Sequence, residues 1–271
     1  MYKINIKKSM NYWGITLVVL AVVLFFTTNA VDIDAIKNPG YSGLSSDLNW
    51  EYFGIEELTK VQQAYANFRL RMIDLEVSIA GYGNMGTIFF AIILLFAFKS
   101  FFSVVPLSAT CLLSGVVFPF PSALLINILG VSLQMSVKYY WGKKRGGGNV
   151  SKFLRRNPVI EDMFEHEGSG NPWILFVCRV VPYIPVNPVS QMYGHMNFKY
   201  TKYLIISLIG ASIKILSYTI IGSNVYDPLS SAFIVPVIIV LLLSGTTILL
   251  VNLIVAFRNK TTPKKKDYYR I

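Results

Sequence analysis

Charge is scarce in this sequence. Of 271 residues only 14% are Asp, Glu, Lys or Arg, while 54% are apolar; a soluble domain carries about a quarter charged residues. The apolar residues are not spread in amphipathic stripes but gathered in long uncharged runs, which a single small core cannot hide and a bilayer can. A soluble fold is excluded on these grounds. Acidic residues are scarcer still at depth: none lies between Glu76 and Glu161, and none between Glu167 and Asp227. A proton-coupled transporter places a titratable carboxylate or His in its pathway, and here only Glu165, His166, Glu167 and His195, at the margins of the apolar runs, offer one.

Cysteine and histidine are nearly absent too. Cys111 and Cys178 sit inside apolar runs, without metal-ligand spacing to each other or to His166 and His195. Neither a disulfide framework nor a metal site is expected, and both thiols read as small apolar fillers. No Ser, Cys or Lys stands beside a base in a nucleophile pattern, and the pair His166–Glu167 lacks the second His of a zinc helix. Gly146, Gly147 and Gly148 form a turn rather than a phosphate loop, because no strand precedes them and no Gly-Lys-Ser/Thr follows. The chain is therefore expected not to be an enzyme and to need no cofactor.

What charge there is leans positive, to a formal +11. The basic residues flank the apolar runs, as Lys3, Lys7 and Lys8, then Lys143, Lys144 and Arg145, then Lys264, Lys265 and Lys266. That placement suits anionic lipid headgroups and the positive-inside bias. Nucleic acid is not the expected partner, since no basic stripe is interleaved with stacking aromatics in a water-facing segment.

Along the chain, residues 12–28 predict a retained membrane anchor. Residues 29–79 turn acidic, with a loop over 33–50. Leu58, Val61, Tyr65, Phe68, Met72, Leu75 and Ile79 then recur at spacings of three and four, one apolar helical face fit for a membrane surface or a partner helix. A span over 86–98 ends at Lys99. Pro106, Gly115, Pro119 and Pro121 interrupt the next apolar stretch, which predicts a re-entrant element over 103–120 and a full helix over 122–141. After a basic connection with a short polar helix over 150–166, a second interrupted segment (172–193) contains Pro182, Pro185 and Pro188. Spans over 203–221 and 233–257 and a basic tail complete the order. Basic flanks put both ends in the cytoplasm, which requires an even number of full crossings.

Two Pro/Gly-broken apolar segments, one in each half, are the sequence pointer to an inverted-repeat transporter with a site near mid-membrane. The second carries Arg179. Arg179 and Lys214 have no carboxylate within their own spans, so each needs a ligand or a neutral partner. A phosphate suits the planar fork of Arg. Against that stand Glu165 or Glu167 as charge partners for Arg179, exposed backbone carbonyls for Lys214, and snorkelling for Lys138.

At these residues the chain resembles the DedA superfamily, in particular its VTT-domain branch, the SNARE-associated Golgi protein family. The resemblance runs from about Gly81 to Gly222. It rests on Pro106 with Gly115 to Phe118, and on the string Arg179, Pro182, Pro185, Asn187 and Gly194, followed by Phe198, Gly210 and Gly222. It implies two opposed re-entrant loops and movement of lipids between leaflets. Carried over by residue, Arg179 becomes the candidate headgroup ligand, with Asn187 beside it; Pro106, Gly115, Pro182, Pro185 and Gly194 shape the loops. Lys214 joins the substrate-binding set on the charge argument alone. The first loop reads Gly-Val-Val-Phe-Pro-Phe-Pro and lacks the acidic residue many relatives carry, which bears against proton-linked transport.

The expectation is an all-α integral membrane protein with this organisation: an anchor (1–29), an external loop and amphipathic helix (30–80), a core with two re-entrant loops (81–225), a last transmembrane helix (226–258) and a cytoplasmic tail (259–271). Its partners are membrane lipids, and a homo-oligomer is allowed. The function expected is a plasma-membrane transporter or scramblase of an anionic, phosphate-bearing lipid. A non-transporting assembly factor acting through the helix over 58–79, or a small-solute or ion transporter, remains open.

Overall fold

The computed structural model describes residues 8–30, 60–81, 84–102, 105–145, 170–181 and 184–261. Among them are nine helices: α1 (Lys8–Ala30), α2 (Lys60–Gly81), α3 (Met85–Phe101), α4 (Leu107–Val117), α5 (Phe120–Arg145), α6 (Pro172–Val180), α7 (Val186–His195), α8 (Tyr200–Ser223) and α9 (Ser231–Thr261). Four carry stretches long and apolar enough to cross a bilayer, over Asn11–Asn29, Phe120–Lys144, Tyr200–Ser223 and Ser231–Leu250. Each is close to the roughly 20 residues a hydrocarbon core requires. The protein is thus all-helical among its described residues, and a multi-pass membrane protein. Pro182, Glu165, Glu167, the loop over 33–50, the helix expected over 150–166 and the basic tail beyond Thr261 lie outside the described residues.

Proline and asparagine set the breaks. Asn84 caps α3 by accepting from the Gly86 N–H at 3.2 Å, and Asn171 caps α6 by accepting from the Trp173 N–H at 2.8 Å, with Pro172 in the first turn. These are the residue types that satisfy the free N–H groups of a helix start. The chain then turns extended at Phe102 and at Val181, ahead of Pro106 and Pro185. The short helices α4 and α7 begin directly after those two prolines, and neither start has a side-chain cap. A proline has no oxygen in its side chain to offer, so nothing in the capping position closes off those first turns.

Two long helices form the centre, and each short helix packs chiefly on the long helix of the other half: α4 on α8, α7 on α5. Glycine makes both crossings close. A Cβ at Gly115 would lie 2.6 Å from the Thr219 carbonyl oxygen and 3.0 Å from the Gly222 Cα. A Cβ at Gly194 would lie 1.9 Å from the Tyr139 carbonyl oxygen, and one at Gly142 would lie 2.0 Å from that of Gln191. The end of α4 therefore meets the end of α8, and the end of α7 meets the end of α5. Because α4 turns into the start of α5, the two long helices run antiparallel.

The flanking helices follow the same plan. Phe96 on α3 fills the space over Gly130 of α5, and Phe176 and Arg179 on α6 cover Gly210 of α8. Tyr193 donates to the Asn171 carbonyl at 2.7 Å, so the end of α7 returns to the start of α6. Two helical hairpins, α3–α4 and α6–α7, thus approach the α5/α8 pair from opposite ends and bring their Pro-led tips together at its middle. Outside this core α1 packs on α9, and α9 on α8. Helix α2 rests near α4, where Tyr65 donates to Asp227 in the α8–α9 connection at 2.7 Å.

Candidate functional site: a cationic cavity between two helix starts

Where the tips meet there is a cavity of about 250 Å³. The uncapped starts of α4 and α7 line it with Pro106 and Ser108 on one side and Pro185 and Asn187 on the other. Helix starts present N–H groups and the positive end of the peptide dipoles, so they favour an anion. Lys99 from the end of α3, Gln134 from α5, and Lys214 and Tyr218 from α8 complete the polar wall. Among the described residues no Asp, Glu or His belongs to the lining. Gln134 and Lys214 stand 14 positions into helices of 26 and 24 residues, roughly 20 Å along at 1.5 Å per residue. The cavity is therefore near the middle of the long helices.

The polar groups are unevenly satisfied. Lys99 is only 5% exposed, yet its Nζ has no hydrogen-bond partner among the described residues. Lys214, 4% exposed, donates to the Val181 carbonyl at a long 3.4 Å, a carbonyl in the break between α6 and α7. Gln134 donates its Nε2 to Asn187 Oδ1 at 2.9 Å, while its own Oε1 has no partner among the described residues. Asn187 in turn donates to the Lys99 carbonyl at 3.3 Å, tying the second tip to the first. Buried polar groups nearly always find partners, so an unpaired ammonium and an unpaired amide oxygen facing one cavity define what a ligand would supply.

Arg179 is placed differently from the cavity lysines. It is 1% exposed and does not line the cavity. Its Nε donates to Ser207 Oγ at 3.1 Å, Nη1 to the Val186 carbonyl at 3.1 Å, and Nη2 to Ser190 Oγ at 2.9 Å and Tyr203 Oη at 3.0 Å. The guanidinium joins α6, α7 and α8 through neutral acceptors, and Tyr203 extends the network to the Met135 carbonyl on α5 at 3.3 Å. Lys138 is 7% exposed, and its ammonium lies 5.5 Å from the Trp141 ring centre and 6.0 Å from that of Phe101.

Of the residues singled out from sequence, Asn187, Lys214, Pro106 and Pro185 come together at the cavity, whereas Gly115 and Gly194 sit at the helix crossings. Both thiols are buried and free, and no His, Cys, Asp or Glu cluster among the described residues could hold a metal. Lys99, Ser108, Gln134 and Tyr218 were not foreseen. Lys99 ends an apolar run and reads as a membrane boundary. Gln134 and Lys214, however, share a legible signal: each lies four residues after a glycine (Gly130, Gly210) and eight before another (Gly142, Gly222).

Crossed helical hairpins around a buried cationic cavity define a polytopic membrane protein of the helical class. Residues 105–224 match the family model described as VTT domain. That stretch, helices α4 to α8, is a VTT domain, the domain of the DedA/SNARE-associated Golgi protein family. No curated protein and no solved structure matches the chain.

Proposed function

We propose that this protein moves an anionic, phosphate-bearing lipid between the leaflets of a cell membrane. The headgroup passes through the cavity between the hairpin tips while the acyl chains stay in lipid. One observation carries the reading: two lysines, Lys99 and Lys214, lie buried near the middle of the long helices against two convergent helix starts, in a lining without a carboxylate among the described residues. Buried ammonium groups are expensive in hydrocarbon and mark substrate pathways, and a phosphate satisfies both them and the free helix starts.

On this reading the hairpins are re-entrant. Helices α1, α5, α8 and α9 make four full crossings, which leaves both basic ends in the cytoplasm. Hairpin α3–α4 dips in from outside and α6–α7 from the cytoplasm, as two opposed halves of an inverted repeat. The shared helix order and matching glycines support that arrangement, and paired broken helices are where such proteins bind substrate. Arg179 then acts as the strut that fixes the second tip, and Asn187, Gln134 and Lys99 hold the tips together.

The test is reconstitution into vesicles containing a fluorescent phospholipid, with a membrane-impermeant reductant to read leaflet exchange. Protein-dependent bleaching of inner-leaflet probe is expected; vesicles that stay half-protected at any protein density would end the proposal.

A further inference from the structure

The walls of the cavity come in pairs. Pro106 and Pro185 each immediately precede a short helix, Ser108 and Asn187 are each its second residue, and Gln134 and Lys214 are each the fifteenth residue of a long helix. All six line the same space. The two halves therefore offer one site the same positions and differ in what fills them: an amide from α5, an ammonium from α8.

We infer that positions 134 and 214 are interchangeable seats around a single anion site and together set the charge of the headgroup it accepts. This rests on the lipid-carrier reading above and deepens it. Gln134 is 2% exposed, and because its Nε2 is committed to Asn187, its Oε1 is left as an acceptor without a donor among the described residues. Lys99 Nζ is left as a donor without an acceptor there. The complementary ligand is an anionic phosphate that carries an O–H donor and no cationic group. Its oxygens meet Lys99 and Lys214, and its hydroxyl meets Gln134. A headgroup ending in an ammonium would bring a third cation to two lysines in a low-dielectric space, where like charges repel most strongly.

Full-length protein is reconstituted with acyl-labelled phosphatidylglycerol or acyl-labelled phosphatidylcholine, and leaflet exchange is followed. Uptake of inorganic phosphate into the same vesicles separates a lipid source from a soluble one. Wild type is expected to move phosphatidylglycerol at least tenfold faster than phosphatidylcholine. Lys214→Gln loses roughly tenfold to a hundredfold of that rate, the range for one charge-assisted hydrogen bond. Lys214→Arg keeps most of the rate. Gln134→Lys combined with Lys214→Gln, which moves the ammonium to the equivalent seat, restores it.

Equal rates for both lipids, with Lys214→Gln unchanged, would overturn the inference and leave lipid movement standing. A double variant that melts like wild type yet is not restored would overturn the equivalence of the seats. Should the double variant not fold, Gln134→Lys alone decides: it is expected to raise the preference for phosphatidylglycerol, and an unchanged ratio counts against the inference. Phosphate uptake that follows the same variant pattern without lipid exchange would support the paired seats and overturn the lipid carrier. No movement of either probe by wild type would overturn both.

Discussion

Arg179 and Lys214 are both cations buried among apolar helices, and their surroundings separate their roles. The guanidinium directs four hydrogen bonds to Ser207, Val186, Ser190 and Tyr203. Planar, fixed donors suit acceptors spread over two other helices, a geometry one lysine ammonium does not reproduce. Arg179→Lys is therefore expected to destabilise the protein by about 2–4 kcal/mol, since several buried acceptors lose their donor. Thermal denaturation in detergent checks this, and an unchanged midpoint would remove Arg179 from its strut role. Among the described residues Lys214 has one long bond to a carbonyl, and Lys99 Nζ has none. These two side chains, not the arginine, face open space. From sequence the arginine was the more conspicuous cation, because the Pro- and Asn-rich string around it marks a broken helix. What satisfies it was not legible: Ser190, Ser207 and Tyr203 are ordinary residues in apolar runs until folding points them at one group.

Among the elements, the helix crossings are the most constrained. Gly115 and Gly194 are each the ninth residue of a short helix, and each touches the backbone of the long helix it crosses. Gly194→Ala would set a methyl group against the Tyr139 carbonyl, and overpacking of this kind costs about 1–3 kcal/mol; the same holds for Gly115→Ala at Thr219. Both variants should melt lower than wild type, whereas Gly81→Ala, with nothing near its Cβ, should not. Helix α2 is held more lightly. Burial, then the hydrogen bond to Asp227, pushes the Tyr65 phenol up to about 12. A phenol whose folded value exceeds its usual value of about 10 contributes its full stabilisation below that usual value and loses it as pH rises toward 12. Hydrogen exchange across α2 should accordingly be equally slow, after correction for intrinsic rates, from pH 6 to 9. It should quicken in Tyr65→Phe by the equivalent of about 1 kcal/mol. Protection unaltered in that variant would show that the contact does not hold α2. The apolar spacing of Tyr65, Phe68 and Met72 made this helix legible in sequence; its neighbour did not, because only the fold brings Asp227 to it.

Across the whole molecule, run length and proline placement carried most of the architecture. Four of the five runs expected to span became the four longest apolar helices; the fifth, over 86–98, became the shorter 17-residue α3, and prolines marked the two helix starts that meet. Charge placement explained why the buried lysines have no carboxylate beside them among the described residues. The meeting of Lys99 with Gln134 and Lys214 was beyond reach of local pattern, since it depends on two hairpins entering an antiparallel helix pair from opposite ends. Even so, the twelve-residue glycine spacing shared by α5 and α8 was visible in the sequence, and it aligns the two halves position by position.

The most direct test of the cationic cavity compares leaflet exchange of labelled phosphatidylglycerol by wild type and by Lys99→Ala combined with Lys214→Ala. Both proteins are first shown to melt at similar temperatures in detergent. Exchange by the double variant should fall to the rate of protein-free vesicles. Exchange as fast as that of wild type would contradict the account, because the headgroup would then cross without the two ammonium groups on which it depends.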